Sequence, residues 1–149
     1  MPDRKLKGGK GLWAERIDEL TRRRAYAAEM GGPENIARQH KAGRLTVRER
    51  IESLTDDGSF AEVGTLGGTG EYDDDLKLKK LTPATYVAGT ARIEGRAVAI
   101  GGEDFTIRGG TSFGAMRRKG GQGGYIEDLA HYYKMPLINL IDGAGGSVT

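Results

Sequence analysis

The chain has 149 residues, 37% of them hydrophobic, which is enough for the core of one domain. No stretch approaches the eighteen or so apolar residues that cross a bilayer, so no membrane association is expected. The basic first residues lack the apolar core of a secretory signal, so a cytoplasmic location is expected. The absence of cysteine excludes disulfides and thiol chemistry, and two histidines, His40 and His131, offer little for a metal site, so no metal is expected.

Positive charge is concentrated in residues 1–50, which contain 13 lysines and arginines against 7 acidic residues. Nucleic-acid binding is one interpretation of this basic segment. The run Arg22-Arg23-Arg24 among Ile17 and Leu20 instead favours the solvated face of an amphipathic helix. Aromatic residues make up only 7% of the chain and form no stacking platform, so no nucleic-acid partner is expected.

The first half of the chain carries two helix signals. Residues 13–30 have helical apolar spacing, and Gly31-Gly32-Pro33 ends that surface helix. Thr46 and Glu49 have the spacing of a capping box, which predicts a second helix from residue 47. We expect the buried stripe of this second helix to consist of Val47, Ile51 and Leu54.

Strand signals follow the second helix. Residues 60–63 predict a short strand, and residues 67–80 are polar and glycine-bearing, which predicts a loop. Residues 86–93 and 96–100 alternate in hydrophobicity around Glu94-Gly95, which is typical of a β-hairpin.

The last third of the chain alternates strand and helix. A glycine-rich run over residues 108–124 precedes a helical pattern ending near Tyr133, and residues 136–141 predict an apolar strand. Such an order indicates an α/β fold in which a crossover brings the last strand beside the earlier ones. We expect residues 1–82 to be a helical and loop segment and residues 83–149 to begin a core domain, which stops where a covering helix would be expected and therefore looks truncated.

Two glycine pairs are the candidate sites for chemistry. Gly109-Gly110 and Gly145-Gly146 each follow an apolar segment, where backbone amides could hold a developing oxyanion and no Cβ would obstruct a substrate. Tight turns are the alternative interpretation of both pairs. Arg117-Arg118-Lys119 lies close enough to the first pair to meet a phosphate, although a solvated helix face is equally consistent with it.

Several common enzyme motifs are absent from the sequence. It contains neither G-x-x-x-x-G-K-[ST] nor G-x-G-x-x-G, and no G-x-S-x-G surrounds Ser147. Kinase-like, dinucleotide-binding and serine hydrolase functions are therefore not indicated.

Nearly the whole chain resembles the carboxyltransferase β subunits of propionyl-CoA, methylcrotonyl-CoA and related acyl-CoA carboxylases. Residues 38–51 (RQHKAGRLTVRERI) and 57–62 (DGSFAE) are similar to the opening signature of that family, and residues 104–111 (DFTIRGGT) to its first glycine pair. Residues 136–146 are similar to its second strand and glycine pair, with Asp142-Gly143-Ala144-Gly145-Gly146 one residue longer than the usual Asp-Ser-Gly-Gly.

The resemblance implies a crotonase-like (ClpP-like) ββα superhelix, of which this chain holds the amino-terminal part. It implies that Gly145 and Gly146, or Gly143 in their place, stabilise a thioester enolate while carboxybiotin supplies the carboxyl group. Acyl-CoA would bind at Gly109, Gly110 and Thr111 with Arg117, Arg118 and Lys119. Biotin would be attached to a biotin carboxylase or biotin carrier partner, because no Ala-Met-Lys-Met attachment sequence is present. A homo-oligomer, a hexamer in this family, is expected.

Two other functions are consistent with the same residues. A biotin-dependent acyl-CoA decarboxylase subunit would share the fold and run the reverse reaction. A non-catalytic module for CoA binding or assembly is the alternative if the chain works alone.

Overall fold

The computed structural model describes residues 11, 13–111 and 124–145, and the elements below are those of these residues. Arg117, Arg118, Lys119 and Gly146 lie outside the described residues, as does Ser147. The elements in chain order are α1 (Ala14–Ala28), α2 (Pro33–Lys41), α3 (Val47–Leu54), β1 (Ala61–Val63), β2 (Gly68–Tyr72), β3 (Leu78–Pro83), β4 (Tyr86–Ile93), β5 (Arg96–Glu103), a 3₁₀ turn (Arg108–Gly110), α4 (Tyr125–Tyr133) and β6 (Leu137–Leu140).

A four-stranded sheet in the order β1-β4-β5-β6 is the centre of the fold. The predicted hairpin is confirmed: β4 and β5 pair antiparallel, and Glu94 and Gly95 both adopt the positive φ of a tight hairpin turn. The Asp56 carboxylate accepts hydrogen bonds from both of their amides, at 2.8 and 2.9 Å. The strand predicted at 60–63 is β1, paired with β4, and β6 runs parallel to β5 as the crossover predicted.

The loop predicted over residues 67–80 is wrong, because β2 and β3 form a second, two-stranded sheet there. Glycine and charge mask the strand signal in this segment. The pairing depends on close approach, since a Cβ on Gly68 would stand 2.4 Å from the Thr82 carbonyl oxygen of β3. Contact with α1 supports β3, and the Tyr26 hydroxyl donates to the Lys79 carbonyl at 3.3 Å.

The helices largely follow the sequence predictions. Helix α1 is a surface helix that buries only Ala27, and Trp13 and Ile17 are exposed. The capping box at α3 is confirmed, because Thr46 Oγ1 accepts from the Glu49 amide at 3.3 Å and the Glu49 carboxylate accepts from the Thr46 amide at 2.7 Å.

The predicted buried stripe of α3 is correct at two of its three positions. Val47 and Ile51 are buried in a cluster with Val87, Val98 and Ile100 of β4 and β5. Leu54 is 41% exposed, so its predicted burial is wrong. It is the last residue of α3, one turn beyond the contacts that Val47 and Ile51 make with the sheet.

The other face of the sheet packs against α4. Ile126 and Ala130 of this helix are buried together with Tyr86, Ala88 and Ala99 of the sheet. Strand β6 alternates exposed and half-buried residues and lies at the edge of the sheet. In the part of the chain that the structure describes, no helix is long and apolar enough to cross a membrane.

Residues on both sides of position 82 contribute to this sheet and its core. Strand β1 pairs with β4, and Ile51 of α3 is fully buried against β4 and β5. The division into segments 1–82 and 83–149 stays a prediction.

The capping box implies a pH dependence of folding stability. Hydrogen bonds from His40 and from Thr46 lower the pKa of Glu49 from its ordinary 4.5 to about 2. A carboxyl whose pKa is lower in the folded state stabilises folding above its unfolded pKa, and that stabilisation is lost as pH falls from 4.5 towards 2. For Glu49→Gln we therefore expect a loss in free energy of unfolding at neutral pH that shrinks across this range, measured by urea denaturation. Glu52→Gln, at an exposed position of the same helix, is the control, and a loss that is equal at both ends of the range would contradict this origin.

Candidate functional site

The candidate site lies where β5 and β6 end. These two strands are parallel neighbours, with Gly102 opposite Leu140, so their carboxyl ends meet at one edge of the sheet. The segment 104–111 leaves β5 there and the segment 141–145 leaves β6. In open α/β sheets, ligands bind outside the carboxyl ends of the strands.

The first glycine turn, Arg108–Gly110, has a backbone geometry that favours glycine. Arg108, Gly109 and Gly110 have φ values of 50°, 62° and 71°, a left-handed run that is costly for residues with a Cβ. The apolar segment before this pair, residues 105–107, is not a strand, because β5 ends at Glu103. The chain turns there since the Asp104 carboxylate accepts a hydrogen bond from the Thr106 amide at 3.0 Å, as aspartate does in turns.

The second glycine turn, residues 142–145, is in direct contact with the first. The Ala144 amide donates to the Gly109 carbonyl at 2.8 Å. A Cβ on Gly110 would stand 2.8 Å from the Asp142 carbonyl oxygen and 3.3 Å from Gly143 Cα. Glycine at position 110 is therefore required by the approach of the second turn.

This contact determines which amides are available to a ligand. The Ala144 amide is used by Gly109, and the Gly110 amide donates to Ile107. Thr111, half-buried after the turn, donates weakly to Arg108 at 3.3 Å. Within residues 13–111 and 124–145, the amides of Gly143 and Gly145 donate to no acceptor.

Comparison with known protein families assigns the chain to one of them. Residues 38–149 match the model of the carboxyl transferase domain. The chain belongs to this family.

Relatives of known sequence agree with this assignment to the carboxyl transferase family. The chain is 33% identical over 134 residues to the propionyl-CoA carboxylase carboxyltransferase subunit of Haloferax mediterranei, which covers 90% of this chain and 25% of that protein. It is 36% identical over 136 residues to the mitochondrial propionyl-CoA carboxylase beta chain of Mus musculus, with 90% and 24% covered. The chain thus spans about a quarter of the length of the curated relatives it matches.

Solved structures of the carboxyl transferase family share the fold. Transcarboxylase 12S, in a hexamer with methylmalonyl-coenzyme A and methylmalonic acid bound, matches with a TM-score of 0.75 and 28% identity over 96% of this chain and 27% of that one. A single-chain, multi-domain long-chain acyl-CoA carboxylase matches with a TM-score of 0.69 and 28% identity over 89% and 14%. The predicted α/β crotonase-like fold, present here as an amino-terminal portion, is confirmed.

A buried carboxyl that the sequence analysis passed over anchors the first turn of this carboxyl transferase domain. Asp104 is 1% exposed, and burial raises its pKa while hydrogen bonds from Thr106 oppose the rise. Thr106 Oγ1 in turn accepts a hydrogen bond from the Gly31 amide at 2.9 Å. This bond connects the α1–α2 junction to the first turn. The position of Asp104, just after an apolar strand and before a glycine pair, is the signal that could have revealed it.

A cavity of about 320 Å³ adjoins the first turn. It lies between the α1–α2 junction, β3 and residues 106–108, and its polar lining includes Tyr26, Asn35, Lys80, Thr82, Thr106 and Arg108. Arg108, Lys80 and Glu29 give this cavity two cationic side chains and one anionic side chain that the sequence analysis did not select.

The histidines and acidic residues form no metal centre in the described parts of the chain. No group of three or more candidate ligands occurs in residues 13–111 and 124–145. His40 contacts the Glu49 carboxylate at 3.0 Å and so links α2 to α3, and His131 is exposed on α4.

Proposed function

We propose that this chain provides the acyl-CoA-binding part of a carboxyltransferase that moves a carboxyl group from carboxybiotin to an acyl-CoA. The observation that carries the proposal is the contact between the two glycine turns at the carboxyl ends of β5 and β6, in a chain of the carboxyl transferase family. The turns bring several glycines and their backbone amides together, which is what a thioester carbonyl requires of an oxyanion site.

Backbone amides of the second turn carry the chemistry in this proposal. Of the candidate residues Gly143, Gly145 and Gly146, the first two have amides that donate to no acceptor in the described residues, and Gly146 lies outside them. Each amide directed at the enolate oxygen would lower the barrier by about 3 kcal/mol. Ala144, which lies between them, holds the turn against Gly109 and does not take part.

The side chains around the turns fit a reaction in which biotin serves as the cofactor. When bound, biotin supplies the carboxyl group and a ureido nitrogen that accepts the substrate α-proton. The carboxylates nearest the second turn are already engaged, Glu103 by the Asp142 amide at 2.8 Å and Asp142 by Gln39 and Arg50. Neither is therefore proposed as a base, and the chain is assigned the binding and orientation of the thioester.

The coenzyme is proposed to bind along the first turn. Gly109, Gly110 and Thr111 would contact it, and Arg117, Arg118 and Lys119 are proposed to meet its phosphates. Arg108 and Lys80 line the cavity that adjoins this turn, together with Glu29.

The partners follow from the same proposal. Biotin would be carried by a biotin carboxylase or biotin carrier subunit, and the enzyme would assemble as a homo-oligomer in the cytoplasm. A hexamer is supported by the hexameric assembly described for transcarboxylase 12S, whose fold this chain shares.

The proposal is tested by a carboxylation assay on the enzyme as isolated with its natural partner subunits. We expect incorporation of labelled bicarbonate into at least one of acetyl-, propionyl- and butyryl-CoA, dependent on ATP and blocked by avidin. The matched control omits only the acyl-CoA. Decarboxylation of the corresponding malonyl-CoA thioesters without any carboxylation would assign the reverse reaction, and the absence of both would contradict the enzymatic proposal.

A further inference from the structure

Asp142, the second residue after β6, is joined to three other elements. Its amide donates to Glu103 Oε2 at the end of β5, at 2.8 Å. Its carboxylate Oδ2 lies 3.4 Å from Gln39 Nε2 of α2 and 3.7 Å from Arg50 Nη1 of α3. We call these four residues the Asp142 brace.

The partners in the brace are themselves held in place. Gln39 is a buried polar residue, 4% exposed, and its side-chain amide also lies 3.4 Å from the Leu45 carbonyl oxygen. Arg50 and Asp142 are about a quarter exposed at the side chain, so their ion pair contributes little to overall stability. The ion pair instead orients the turn after β6, because the brace connects that turn to helices α2 and α3.

The brace reaches the glycine turns without an intervening residue. The Asp142 carbonyl oxygen is the atom that a Cβ on Gly110 would meet, at 2.8 Å. The two residues that follow Asp142 contact the first turn, Gly143 through its Cα and Ala144 through its amide. A shift of Asp142 would therefore move both turns and the amides of Gly143 and Gly145.

We propose that Asp142 is a positioning residue for carboxyl transfer and that Gln39 and Arg50 act through it. The inference rests on the proposed function, because the second turn is taken as the element that holds the enolate. The turn contains three glycines in residues 143–146, so it has more conformations to restrict. The brace restricts them at the residue where the turn begins.

The first test is the kinetic effect of Asp142→Ala in the enzyme as isolated with its partner subunits. Because only transition-state placement is lost, we expect kcat to fall about 10- to 100-fold and KM for acyl-CoA to change less than about threefold. Asp75→Ala is the matched control, since Asp75 is exposed on the β2–β3 turn and its carboxylate lies 3.7 Å from Lys77 Nζ. Gln39→Ala, on α2 and outside both glycine turns, should show the same selective loss of kcat and replaces Asp142→Ala if that variant does not assemble.

Hydrogen exchange provides a readout that does not depend on activity. Relative to Asp75→Ala, we expect Asp142→Ala to speed exchange of the amides in residues 108–111 and 142–145, with β4 and β5 unchanged. A kcat within about threefold of the control, or unchanged exchange in the two turns, would overturn the positioning role. If the unaltered enzyme transfers no carboxyl group, the proposed function fails, and the exchange comparison still decides whether the brace orders the turns.

Discussion

Gly110→Ala is expected to reduce carboxyl transfer at least 100-fold, as a displacement of about 1 Å at a reacting centre does. The added Cβ would lie 2.8 Å from the Asp142 carbonyl oxygen and 3.0 Å from Glu103 Cβ, so the second turn must move away. The φ of +71° adds backbone strain for any residue other than glycine. Steady-state kinetics with the preferred acyl-CoA, on the assembled enzyme, measures the effect.

Gly95→Ala is the control for Gly110→Ala, because it introduces the same backbone strain without a steric clash. Gly95 has a φ of +77°, close to that of Gly110, but a Cβ there meets nothing within 4 Å. This control should lose about 1–2 kcal/mol of stability and retain its transfer rate. If Gly110→Ala retained activity within about threefold of Gly95→Ala, contact between the two turns would not be required for the reaction.

Ile51→Ala is expected to lower the free energy of unfolding by about 2–5 kcal/mol, the range for large-to-small changes in a packed core. Ile51 of α3 is fully buried among Val87, Val98 and Ile100 of the sheet. The variant leaves a cavity between α3 and the sheet. Denaturation in urea, followed by circular dichroism, gives the difference.

Leu54→Ala on the same helix is the matched control for the core. Leu54 is 41% exposed and lies outside the buried cluster, so about 1 kcal/mol or less is expected from its truncation. Equal losses for the two variants would contradict the packing of Ile51 against the sheet. A large loss for Ile51→Ala alone would place α3 inside the same cooperative unit as β4 and β5.

The parts of the fold that depend on neighbouring residues could be predicted from the sequence. The capping box of Thr46 and Glu49 needs only three residues, and the β4–β5 hairpin is specified by alternation around Glu94-Gly95. The parallel position of β6 follows from a helix between two strands. Family resemblance added the crotonase-like architecture, which these local signals alone leave open.

Contacts between distant residues account for what the sequence did not predict. Strands β2 and β3 are poor in strand-forming residues and exist through their pairing and the support of α1. Both glycine pairs were predicted as separate sites, but the hydrogen bond from Ala144 to Gly109 joins them. Gln39 and Asp142 are 103 residues apart, and no periodic pattern relates them.

The most direct test of the central proposal is a crystal structure of the assembled enzyme with a ketone analogue of its acyl-CoA substrate. The quantity to measure is the distance from the ketone oxygen to the amide nitrogens of residues 143–146. We expect at least one of these distances to be about 3 Å, the length of an N–H···O hydrogen bond, with the coenzyme passing Gly109 and Gly110. A ketone oxygen bound away from the second turn, with those amides facing solvent, would contradict the account.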